Sequence, residues 1–272
     1  MQASRFIERY GPWALIAGAS EGIGEAFAHQ LAARGLNLVL LARRQTPLEK
    51  LSETLQDQYS VNIRCVSVDL ARPDLQGALA PHIKDLEIGL LVYNACHSAI
   101  GPYLDCDLTT KMQTVDVNCR GPLALTSLLA PPMVARGRGG IVLMSSTSGY
   151  QGAALLAVYA ASKAFNTTLA EGLWEEMRGN GVDVLALVAG ATRTPAFEDA
   201  TPADKQESAL PMAPEEVVRQ GLARLGGRRP VFIAGRLNRV VVFTLSRLIS
   251  RRAAVTFMGR QLRRIYIPSS RG

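Results

Sequence analysis

The sequence predicts an α/β fold: a single doubly wound parallel sheet with helices on both faces, continued by a basic helical extension. Three observations predict it. Short, wholly apolar runs alternate with stretches of helical periodicity between residues 13 and 234, the pattern of strands covered on both sides. The first such run feeds directly into a glycine-rich turn and a helix. The charge is unevenly placed, with nine arginines and no Asp, Glu or Lys from Gly235 to Gly272. The chain therefore divides into a domain over residues 1–234 and an extension over 235–272.

Trp13–Ala17 reads as the first strand, and Gly18-Ala19-Ser20-Glu21-Gly22-Ile23-Gly24 follows at once, with a helix over 25–34. That order is the Rossmann-type context in which glycines let a pyrophosphate approach the backbone N–H groups at a helix start; a plain turn with structural glycines is the alternative. Residues 36–42 form a second strand ending in Arg43-Arg44. A carboxylate here would select NAD through the ribose 2′-OH, whereas arginine pairs with the 2′-phosphate of NADP. A solvated pair at a strand end is the plainer reading.

A helix over 47–59 leads to a strand over 62–68 and then Asp69-Leu70; a helix over 75–84 leads to a strand over 90–93 and then Asn94-Ala95-Cys96. A single helix is expected over 110–129, carrying Asn118, and a strand over 140–144 delivers Ser145-Ser146. The Ala-rich helix over 158–177 carries Tyr159-Ala160-Ala161-Ser162-Lys163. Residues four apart share a helix face, so the phenol and the ammonium can project toward one site. A neighbouring cation lowers a phenol's pKa, which suits proton exchange with a carbonyl or alcohol oxygen. A strand over 182–188 precedes Gly190, Thr192 and Thr194; residues 195–212 lack periodicity and read as a loop. A helix over 213–225 and a strand over 230–234 complete the domain. In this architecture ligands sit at the carboxyl ends of strands. Gly18, Asp69, Asn94, Ser146 and Gly190 all fall there.

Taken together, Gly18-x-x-x-Gly22-x-Gly24, Asn94-Ala95, Asn118, Ser146 and Tyr159-x-x-x-Lys163 resemble the short-chain dehydrogenase/reductase family, and most its NADPH-dependent 3-oxoacyl and hydroxysteroid reductases. The resemblance implies that Tyr159 is the acid/base and that Lys163 lowers its pKa and bonds the nicotinamide ribose. It implies that Ser146 bonds the reacting oxygen and that Asn118 holds a water linking Lys163 to solvent. Gly18, Ser20, Gly22, Ile23 and Gly24 would hold the pyrophosphate side of NADP(H), Arg43 and Arg44 its 2′-phosphate, and Asp69 and Leu70 its adenine. Asn94, Ala95, Tyr159, Lys163, Gly190, Thr192 and Thr194 would border the nicotinamide half. Spacing to Tyr159 favours Ser146 over Ser145. The family's usual threonine is Ala17 here, its Asn-Ala-Gly ends in Cys96, its Pro-Gly is Ala189-Gly190, Thr192 stands for Val or Ile, and Glu21 for a base. The resemblance also implies a homodimer or homotetramer through the 110–129 and 159–177 helices.

The expected function is hydride transfer between NADP(H) and a carbonyl/alcohol substrate, a hydrophobic 3-oxoacyl or steroid-like one. A non-catalytic NADP(H)-binding scaffold or redox sensor is the alternative. Cys65, Cys96, Cys106 and Cys119 are scattered, with no CxxC and no His at ligand spacing, so free thiols, a reducing cytoplasmic setting and no metal site are expected. His97 reads as a loop histidine at the rim. Residues 1–10 are too polar for a signal peptide, and no apolar run is long enough to span a bilayer. Of 30 Lys and Arg, 21 precede the extension and face 23 acidic residues, a net −2, so the +7 of the chain belongs to its tail. Val241, Leu245, Leu248 and Ile249 share helical spacing. That face is expected to dock on the domain or a second subunit, or, through residues 236–264, to touch anionic lipid. Nucleic acid is the weakest reading, because no reader motif accompanies the charge.

Overall fold

The computed structural model describes residues 3–267. Seven parallel strands form one sheet in the order β3-β2-β1-β4-β5-β6-β7: β1 Trp13–Ala17, β2 Asn37–Ala42, β3 Ile63–Ser67, β4 Ile88–Tyr93, β5 Gly139–Ser146, β6 Val182–Ala189 and β7 Val231–Ile233. Alternation within each strand explains the unbroken apolar runs. Ala14 and Ile16 of β1, with Leu38 and Leu40 of β2, enter a core beneath α2 (Gly22–Ala32), α3 (Gln45–Gln58) and α10 (Pro214–Leu222). Leu15, Ala17, Val39 and Leu41 enter the opposite core, beneath α4 (Leu75–Ile83), α6 (Gly121–Arg136) and α7 (Ala157–Met177). Both faces are covered, so polar residues are confined to strand ends and to the edge strand β3, as at Asn37, Arg64, Ser67 and Asp183. The chain reverses direction across the sheet between β1 and β4, which opens a crevice at their carboxyl ends.

Four features depart from the sequence expectations. An amino-terminal helix α1 (Ala3–Tyr10) precedes the sheet. It is anchored by Tyr10, whose hydroxyl donates to Asp183 Oδ2 at 2.8 Å, and by the Arg9–Asp183 ion pair at 2.8 Å. The single helix expected over 110–129 is three pieces: α5 (Leu108–Val115), a π-helical turn at Asp116–Arg120, and α6. The Tyr93 hydroxyl donates to Val117 O at 2.6 Å, and a Cβ at Gly121 would overlap that hydroxyl. A side chain inserted into the helical ladder is a recognised cause of such a bulge. The 195–212 loop contains α8 (Pro195–Ala200) and α9 (Ala203–Gln206); Thr194 caps α8, accepting from Phe197 N at 3.2 Å, with Pro195 at its first position.

The extension folds as α11 (Arg236–Phe243), a π turn (Thr244–Leu248) and α12 (Arg251–Tyr266). Its docking face is not the expected one. Val242 and Leu245 are buried, while Val241 and Leu248 are 40% and 65% exposed. The chain breaks after Leu248, and Ser250 Oγ caps α12 by accepting from Ala253 N at 3.3 Å, so one continuous helical phase cannot describe the segment. The Arg239 guanidinium lies over the Phe232 ring, 5.6 Å from its centre. The face docks on its own domain. Ala254 and Leu262 of α12 are buried, Leu262 against Ala153, Leu156 and Ala160. No helix among the described residues is long and apolar enough to cross a membrane.

Candidate active site

The glycine turn is built by exclusion. Gly18 has φ +79°, and a Cβ there would lie 2.6 Å from Ala95 Cα, so only glycine lets β1 turn over β4. A Cβ on Gly24 would overlap the Gly18 carbonyl, the same oxygen that accepts from Asn94 Nδ2 at 2.8 Å. Asn94 thus staples the turn to the strand across the switch point. Glu21 precedes α2 without a side-chain capping bond, leaving first-turn N–H groups available to an anion.

In front of this turn lies a trough of about 460 Å³. Of the expected cofactor residues, Gly18, Ser20, Gly22, Ile23, Arg43, Arg44, Asp69, Leu70, Asn94, Ala95 and Thr194 line it, joined by Glu21, Cys96, His97, Val117 and Ala196. Gly24 sits behind the turn. Gly190 and Thr192 do not line it: the Thr192 hydroxyl donates to Gly190 O at 3.1 Å, Thr192 bridges Met212, and a Cβ on Gly190 would meet Asn238 of α11. Their neighbours make them supports of the following loop. At the trough's mouth Arg44 bonds Glu21 at 2.5 Å, and the Ser67 hydroxyl donates to Arg43 O at 2.9 Å.

Tyr159 stands in the first turn of α7 and Lys163 one turn on, its ammonium 5.6 Å from the phenol's ring centre and donating to Met144 O at 3.1 Å. Ser146, at the carboxyl end of β5, lies beside the Tyr159 phenol, its Oγ accepting from Ser148 N at 3.2 Å. Ser145 points inward instead, its hydroxyl donating to Lys163 O at 2.7 Å. Burial pushes the Tyr159 phenol above its ordinary pKa, with Cys96 adding to the rise and the neighbouring Ser146 hydroxyl opposing it. Burial likewise holds Lys163 below its usual value. The lowering of Tyr159 by Lys163 that the resemblance implies is not found: desolvation dominates the phenol, and Lys163 is not among the groups that act on it.

Asn118 is fully buried in the π turn. Its Oδ1 accepts from His97 N at 2.8 Å, and its Nδ2 donates to His97 O and to Ser162 Oγ, both at 2.9 Å. Ser162 in turn donates to Tyr159 O at 2.7 Å. The amide thus ties the Cys96-His97 loop to the start of α7, and its side chain is fully occupied in doing so. Sequence reading set His97 aside as a rim residue; its Nδ1 lies 2.9 Å from Thr114 Oγ1, and burial lowers its pKa. Docking of the tail on the domain is expected from its apolar spacing, but its place beside Tyr159 has no sequence signal. Arg251 donates to Tyr150 O at 2.5 Å, and Leu262 and Tyr266 pack in one cluster with Tyr159. Among the described residues no group of three or more His, Cys, Asp or Glu side chains is placed to hold a metal ion.

Comparison with known proteins adds family information to this geometry. A family model described as short chain dehydrogenase matches residues 12–205. A 7β-hydroxysteroid dehydrogenase of Clostridium sardiniense is 36% identical over 234 residues, covering 86% of this chain and 89% of that protein. A solved structure from a study of 7β-hydroxysteroid dehydrogenase stereoselectivity superposes with a TM-score of 0.87 at 28% identity, covering 93% of this chain and 98% of that one. A short-chain dehydrogenase from Sphingobium yanoikuyae in complex with NADPH gives 0.74 at 30% identity, covering 82% and 87%.

Proposed function

The chain belongs to the short-chain dehydrogenase/reductase family, on the branch of hydroxysteroid and 3-oxoacyl reductases, and from that premise we propose that it is an NADP(H)-dependent carbonyl reductase, reversibly an alcohol dehydrogenase, for a hydrophobic 3-oxoacyl or steroid-like substrate. One observation carries the reading: Ser146, Tyr159 and Lys163 meet at the carboxyl end of β5, the serine beside the phenol and the ammonium one helical turn on, 5.6 Å from the ring centre. A scaffold that only bound a coenzyme would need none of them.

The coenzyme fits the residues present. Gly18 and Gly24 keep side chains out of the turn where a pyrophosphate would rest, and the uncapped start of α2 offers it N–H donors. Arg43 and Arg44 offer cations where a 2′-phosphate would lie, and no carboxylate ends β2 to repel it. When bound, NADPH supplies the hydride. This chain's residues manage the oxygen. Ser146 donates to the substrate oxygen as negative charge develops there, and Tyr159 delivers the proton. A phenol is protonated at neutral pH, the state that carbonyl reduction requires of its proton donor. Lys163 faces Tyr159 from inside the fold and stabilises the phenolate left behind. Asn118 acts as a positioning residue, holding the Cys96-His97 loop and the first turn of α7 in register. Leu262 and Tyr266 pack in one cluster with Tyr159 and cover part of it.

Assembly belongs to the proposal too. Between α6 and α7 runs an apolar groove of about 310 Å³, lined by Leu123, Ala130, Pro131, Val134, Leu169 and Leu173 among others, and a second copy of the same pair of helices would fill it.

The test is NADPH consumption against a panel of 3-oxoacyl thioesters and steroid ketones. Tyr159→Phe is expected to bind NADPH normally and to lose ~10²–10⁴-fold in turnover, the span of general-acid catalysis. Undiminished turnover in that variant would refute the assignment.

A further inference from the structure

A second recess, which shares no lining residue with the coenzyme trough, is lined by Tyr159, Val158, Leu155, Gly101, Tyr103 and Lys111 among others. It holds about 30 Å³, room for about one water molecule, so a substrate must part its walls. One wall can yield. The loop from Asn94 to Asp107 forms no helix or strand, and Tyr103 and Leu104 on it are 57% and 90% exposed.

The charge in this otherwise largely apolar lining is a single ammonium. Lys111, in the first turn of α5, is half-buried and holds Nζ 3.9 Å from the centre of the Tyr103 ring. Among the described residues no carboxylate lies within salt-bridge distance of it, since the ion pairs of this region involve other cations. The neighbouring acid, Asp107, is committed to capping α5, accepting from Thr110 N at 2.8 Å and Thr110 Oγ1 at 2.9 Å. A cation held on an aromatic face without a counter-ion is partly dehydrated and open to an incoming anion.

We propose that Lys111 determines specificity by pairing with an anionic group on the substrate, so that the preferred substrate is an apolar ketone bearing a carboxylate or phosphate. The claim rests on Tyr159 being the reacting end. With the carbonyl oxygen at Tyr159 and Ser146, the apolar body fills the parted recess, and the anion displaces Tyr103 from the ammonium.

The experiment uses the full chain with NADPH and two ketones of identical body, one ending in a carboxylate and the other in its methyl ester. Turnover and, separately, binding of each ketone to the NADPH-loaded protein are measured for the wild type, Lys111→Met and Lys111→Arg. The acid-to-ester ratio of kcat/KM is expected to fall about tenfold or more in Lys111→Met. Lys111→Arg should restore most of it, and added salt should erode it in the wild type but not in Lys111→Met. A ratio unchanged by Lys111→Met overturns the proposal. If the wild type reduces neither ketone, the reductase reading fails instead, and the binding ratio alone then decides whether Lys111 receives the anion.

Discussion

Arg44 offers the sharpest test of coenzyme choice, because its present partner is known. Its guanidinium bonds Glu21 at 2.5 Å, and the two side chains are 63% and 40% exposed. An exposed ion pair of this kind contributes ~0–1 kcal/mol. A charge-assisted bond to a phosphate contributes ~1.5–3 kcal/mol before solvent screening. Exchanging one for the other therefore leaves a net gain of about 1–2 kcal/mol for a coenzyme carrying the 2′-phosphate. Arg44→Ala should weaken NADPH ~5- to 30-fold while changing NADH by no more than about twofold. Glu21→Gln should act oppositely, tightening NADPH by about two- to fivefold, since it removes both the competitor and a like charge facing the phosphate. Fluorescence titration of both coenzymes at fixed ionic strength reads these values, and a repeat at higher salt should shrink the NADPH effects alone. Equal weakening of NADPH and NADH by Arg44→Ala would refute the reasoning, because it would make Arg44 a general support of the trough. A Glu21→Gln protein that bound NADPH less well would do the same.

Two further outcomes follow from the fold. Tyr10 is buried and donates to Asp183, so burial and that carboxylate push its pKa above the ordinary 10.0; Tyr93 is raised by burial in the same way. A folded pKa above the unfolded one contributes stability that is complete below about pH 10 and is lost as pH rises beyond it. The melting temperature should therefore fall steeply above about pH 10, and less steeply in Tyr10→Phe; identical slopes would exclude Tyr10 from that loss. The proposed pairing through the groove between α6 and α7 predicts a wild-type mass above the 29.3 kDa of one chain by light scattering and a Leu173→Glu mass near that value; a monomeric wild type, or a variant that stays assembled, would refute it.

Strands β1, β2, β4, β5 and β6 were legible because burial on both faces leaves a continuous apolar run, and the glycine turn was legible because sterics admit nothing else at Gly18. What escaped reading depended on contacts distant in sequence. Helix α1 is short, with Phe6, Ile7 and Tyr10 as its large apolar residues, and its anchor lies at Asp183. The π turn is caused by Tyr93, a strand residue with no mark in the helix it distorts. The Glu21–Arg44 pair exists because β1 and β2 are neighbours in the sheet. At the site, Tyr159, Lys163 and Ser146 could be placed from spacing and strand ends. The balance of forces on the phenol could not, since it is set by burial that includes α12. Gly190 and Thr192 sit at a strand end like the others, yet α11 and Met212 occupy their neighbourhood.

Helix α12 leaves the far edge of the sheet and returns to lie on Ala153, Leu156 and Ala160, beside the reacting phenol. Surroundings of the phenol are thus supplied by a segment far from the strand ends in sequence. Coenzyme contacts and the packing around Tyr159 can then change independently: substitutions in α12 would alter the cover of the phenol while the strand ends stay untouched.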